Sequence, residues 1–98
     1  GRFVPAGTIT RQEAAVMVAR AGALCGMQTD FDTAAIRDTL AQFTDYVQTA
    51  EWARQSLAFC YQAQILDDAA LEIRPTQAIT RGEVAQMLYQ LLEKAELL

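Results

Sequence analysis

With 98 residues, just over half of them apolar, the chain can bury one modest hydrophobic core and has no room for a second. Its net charge of −4 excludes the broad basic surface that nucleic acid or an anionic membrane requires, and no apolar run approaches the roughly 20 residues of a membrane span. Histidine is absent and the two cysteines lack metal-ligand spacing, so neither a metal nor an organic cofactor is expected.

Gly1 is an odd place for translation to begin, so the chain reads as a piece of a longer protein, and the lack of a secretory leader says nothing about where it works. A first helix is predicted over residues 11–25, with Ile9, Ala14, Met17 and Val18 at helical spacing and Gly26 as its stop. A second, over 34–43, follows Asp32 or Thr33 as cap. The third, over 50–63, starts after Thr49 and carries Trp52, Ala53, Leu57, Phe59 and Cys60. An irregular connection over 64–78 is long enough to suggest a structured or functional loop. The fourth helix, over 81–95, places Val84, Met87, Leu88 and Leu91 on its apolar side. The expected fold is all-α, about four helices. Cys25 and Cys60 fall on two of them and are expected to be buried, unpaired thiols; a disulfide or a reactive thiol is the alternative.

The start of the fourth helix repeats that of the first. "AITRGE" at 78–83 nearly matches "TITRQE" at 8–13, and at the same seventy-residue offset Pro5 meets Pro75, Ala15 meets Ala85 and Met17 meets Met87. In both copies Thr-x-x-Glu is a capping box: the threonine hydroxyl accepts from the backbone N–H three residues on, and the glutamate reaches back to the threonine N–H. Thr10, Glu13, Thr80 and Glu83 thus have a structural explanation. Arg11 and Arg81 do not, because the positive end of the helix dipole disfavours a cation in the first turn. A guanidinium beside open N–H groups would make an anion site. A solvated arginine, or one paired with a nearby carboxylate, fits the residues equally well.

The ordered blocks "FTD" (43–45), "EWARQSLAFCYQA" (51–63), "QILD" (64–67), "IRP" (73–75) and "ITRGEVAQML" (79–88) resemble S-layer homology repeats, the cell-wall anchoring modules of bacterial surface proteins. Residues 43–98 resemble one complete repeat, 1–27 the second half of a preceding one, with "FVP" at 3–5, and 28–42 the connector between them. Gln64 and Asp67 stand where the family pattern has glycines.

The resemblance implies a non-catalytic, all-helical, extracellular module that holds acidic, often pyruvylated, cell-wall polysaccharide and works beside neighbouring repeats, usually three in a pseudo-threefold bundle. It also implies ligand contacts at Arg11, Arg81 and Trp52. Trp52, a lone tryptophan on a helix with Leu57 and Phe59, reads more readily as core, and Asp45 reads as a brace for a helix entry or loop or as a sugar contact. Catalysis is disfavoured because no nucleophile has an identifiable base, and calcium binding because "LDDAALEI" lacks alternating oxygen ligands around a glycine. The competing reading is a helical repeat used for protein contact.

Overall fold

The computed structural model describes residues 8–97; the "FVP" block and the Pro5–Pro75 match lie outside them. Four α-helices follow in order: α1 (Arg11–Leu24), α2 (Thr33–Leu40), α3 (Glu51–Gln62) and α4 (Arg81–Lys94), with a 3₁₀ turn at Tyr46–Gln48. No strand is present among the described residues, and none of their helices is long and apolar enough to cross a membrane. The domain is all-α, as the periodicity implied.

Each helix begins where side-chain chemistry allows it. Thr10 and Thr80 both close complete capping boxes with Glu13 and Glu83, and the Asp32 carboxylate accepts from the Ala35 N–H at 2.7 Å to start α2. α3 starts after Thr49, as expected, by a different means. Thr49 does not cap it: its hydroxyl donates to the Tyr46 carbonyl and accepts from Arg54 Nε. The N-cap is Ala50, whose N–H donates at 2.9 Å to the side-chain oxygen of Gln12 on α1. One helix supplies the cap of another.

The ends of α1, α3 and α4 share a single device. At α1, Gly26 takes φ +84 while the Met27 N–H reaches back to the Gly22 carbonyl, closing a Schellman motif. The same pattern closes α3 at Gln64, with φ +60, and α4 at Glu96, with φ +61. Gln64 therefore holds the left-handed backbone that the family's glycine would take at no steric cost. α2 stops at Leu40, three residues short of the predicted end, because Ala41 and Gln42 turn to drive Phe43 into the core, where its ring lies 4.5 Å from that of Tyr61.

α3 is the centre of the packing, with α1 and α2 both against it, and α4 rests on α1. Ala14, Ala15, Val18 and Ala19 bring α1 close to Leu57 and Phe59 in one buried cluster. Gly22 completes the approach: a Cβ there would lie 2.8 Å from the Phe59 ring. Cys60 is buried in this core as a free thiol and is pushed up to about 12 by desolvation. Cys25 is also free but exposed, against expectation, because it caps the C-terminus of α1 where the chain leaves the core.

Candidate functional site

The two copies of the repeated string lie against each other. The Ile79 N–H donates to the Ile9 carbonyl and the Arg11 N–H to the Gln77 carbonyl, both at 2.9 Å, forming an isolated antiparallel bridge between Thr10 and Ala78. The Gln12 N–H continues the contact to the Pro75 carbonyl at 3.0 Å. The first two open N–H groups of α1 are thus satisfied by the loop that precedes α4.

Arg11 is fixed at this joint rather than presented to solvent. It is 8% exposed; its Nε donates to the Ile73 carbonyl at 2.9 Å, and its guanidinium is ion-paired with Glu83 of the other copy. Of the two readings the sequence left open for this arginine, the structure displays the paired one. Glu83 consequently does two jobs. One carboxylate oxygen accepts from the Thr80 N–H at 3.1 Å and the other meets Arg11. The Thr80 N–H, followed by the Thr80 hydroxyl, Arg11 and Arg74, holds the Glu83 carboxyl below the usual carboxylate range.

Asp45 is the brace of the same loop. Buried, it accepts from the Ile73 and Arg74 N–H groups, both at 2.8 Å, one on each carboxylate oxygen. That grip turns the chain through Arg74, whose φ is +53, and leaves the Arg74 side chain exposed with no ion pair among the described residues. Nothing in the sequence marks Arg74, since its position follows from Asp45, 29 residues away.

Around these groups opens a groove of about 490 Å³. Arg11 and Arg74 line it together with Thr80, Gly82 and Glu83 at the start of α4, Gln86 and Met87 one turn on, and Leu66 and Asp67 opposite. The charges of Arg11 and Glu83 offset each other, so Arg74 is the cation left to meet a ligand, while Asp67 turns its carboxylate back to the Ala69 N–H at 2.9 Å. A second hollow of about 270 Å³, lined by Gln64, Asp67, Asp68, Gln86 and Gln90, has no cation and would repel an acidic ligand.

The three residues expected to contact ligand, Arg11, Arg81 and Trp52, stand apart. Arg81 is exposed and borders a different, apolar hollow of about 520 Å³ with Ile9, Ile79, Val84 and Leu88. Trp52 is 62% exposed on α3, which removes its reading as core; it lines neither hollow. Near it, Arg54 stacks over the Tyr46 ring at 5.1 Å and binds Thr49, so that cation is already engaged.

A small all-α domain in which a duplicated helix start is bonded through arginine to a loop braced by an aspartate defines a helical repeat module. Residues 42–85 match the S-layer homology domain, and this stretch of the chain is an S-layer homology domain. No curated protein and no solved structure matched the chain. Domains of this family are generally non-catalytic cell-wall anchoring modules of bacterial surface proteins.

Proposed function

We propose that the chain anchors its parent protein by holding acidic secondary cell-wall polysaccharide in the groove between the two copies of the repeated string. The observation that carries this reading is the convergence, around one opening, of Arg11 from one copy, Thr80, Gly82 and Glu83 from the other, and the unpaired Arg74. Arg74 can grip a carboxylate such as that of a pyruvate ketal through two parallel N–H bonds. Gln86, exposed on the same groove, offers an amide to the sugar hydroxyls. In this proposal Arg11 shapes the groove while bonded to Ile73 and Glu83, and Arg81 and Trp52 act elsewhere. Cell wall carrying its polysaccharide should retain the chain, and wall stripped of it should not. Equal retention on both would refute glycan anchoring.

A second role is favoured by one observation. The outer face of α4 exposes Leu88, Tyr89 and Leu92 side by side, which suits contact with a neighbouring repeat. In this reading residues 43–98 are one complete unit, 1–27 the second half of another, and 28–42 the connector between them.

A further inference from the structure

The duplicated helices α1 and α4 are buried on opposite faces. Arg11, Gln12, Ala15, Val18, Ala19 and Gly22 are all buried, whereas their counterparts seventy residues on, Arg81, Gly82, Ala85, Leu88, Tyr89 and Leu92, are all exposed. The reverse holds at the methionines, with Met17 58% exposed and Met87 2%. What covers α1 is known: α3 lies along its small residues, and the loop at 73–77 receives the Arg11 and Gln12 N–H groups. That contact is head-to-tail, joining two different surfaces, so it leaves the corresponding face of α4 open.

A second copy of this chain does not fit that face. Each chain contributes two helices of the α1 kind and one α3, and α1 already occupies the α3 surface. The side chains point the same way. Gly22 admits the Phe59 ring only because it has no Cβ, and at its counterpart stands Leu92, whose side chain would occupy the space of that ring. Gln12 caps α3 from outside through the Ala50 N–H, and at its counterpart stands Gly82, which has no side chain to lend. Arg81, by contrast, retains the guanidinium that Arg11 uses to bind a loop carbonyl and a carboxylate.

We infer that the α4 face docks the first half of another, non-identical repeat, one with a small residue in place of Phe59 and, in place of Ala50 with its φ of −69, a proline, which has no N–H in need of the Gln12 side chain. This rests on the reading of the chain as one of a set of neighbouring repeats and adds what such a neighbour must look like. Leu92 and Gly82 set the specificity: they admit that neighbour and exclude the chain's own repeat.

Tandem chains test the inference. Appending residues 29–98 after Leu98 places after α4 the sequence that follows α1, and amide exchange at residues 81 and 82 reads whether a unit has docked. With the appended unit unaltered, both amides should exchange as fast as in the single chain. With Phe59→Ala and Ala50→Pro in the appended unit they should slow about tenfold or more, towards the behaviour of Arg11 and Gln12. A third chain, with Gly82→Gln and Leu92→Gly in α4 and an unaltered appended unit, guards against misfolding of the altered unit and should show the same slowing. Slow exchange in the unaltered tandem would overturn the specificity while leaving repeat docking in place. Fast exchange in all three would overturn docking itself.

Discussion

Arg11 shows how far apart two identical residues of a repeated motif can stand. In sequence Arg11 and Arg81 share threonine before and glutamate two places after, and the dipole argument sets both against the same helix end. In the fold one is sealed against Ile73 and Glu83 and the other is exposed. Truncating Arg11 would strand a buried carbonyl and an anion together, so Arg11→Ala should lower stability by about 2–3 kcal/mol in urea unfolding. Arg81→Ala should leave it unchanged. Glu83 adds a pH dependence whose sign is set by its lowered folded-state value. Its contribution is complete above the ordinary carboxylate value of 4.5 and is lost as pH falls through the lower folded value. Melting temperature should therefore drop with acidification below that point, and less steeply in Arg11→Ala. An unchanged slope in the variant would show that Arg11 does not act on Glu83.

The elements were legible in proportion to how local their signals are. Both capping boxes could be read directly, because donor and acceptor lie three residues apart. The ends of α3 and α4 fall within one residue of the predicted 63 and 95, but the device that closes them could not be read, since Gln64 and Glu96 take the left-handed position without the glycine that would announce it. Nor could the partner at the start of α3, where the Ala50 N–H is received by Gln12, 38 residues earlier. Glycine at 22 weakens helix propensity within α1, yet a Cβ there would lie 2.8 Å from the Phe59 ring of α3. Gly22→Ala should therefore destabilise by about 1–3 kcal/mol through overpacking, despite alanine's higher helix propensity. A stabilised variant would mean that α3 can move away at no cost.

For the whole molecule, the ordered blocks from Phe43 to Leu88 carried the family, and the fold class followed from periodicity. The arrangement of charge did not, because the pairing of Arg11 with Glu83 and the release of Arg74 depend on contacts across 72 and 29 residues. Trp52 illustrates the same limit in the other direction: an aromatic at core spacing was left at the surface because Ala53 and Leu57 already fill the turn that faces the interior.

The proposed anchor depends on one exposed cation in a groove that the fold holds ready. Titration of the chain and of Arg74→Ala with purified acidic wall polysaccharide, alongside thermal melts, tests this most directly. Arg74→Ala should weaken binding about tenfold or more, as expected for loss of a charged contact, while melting at the same temperature or slightly lower, since alanine adopts φ +53 no less readily than arginine and only the attraction to Glu83 is lost. Undiminished binding by Arg74→Ala at unchanged stability would contradict it and place the glycan outside the groove.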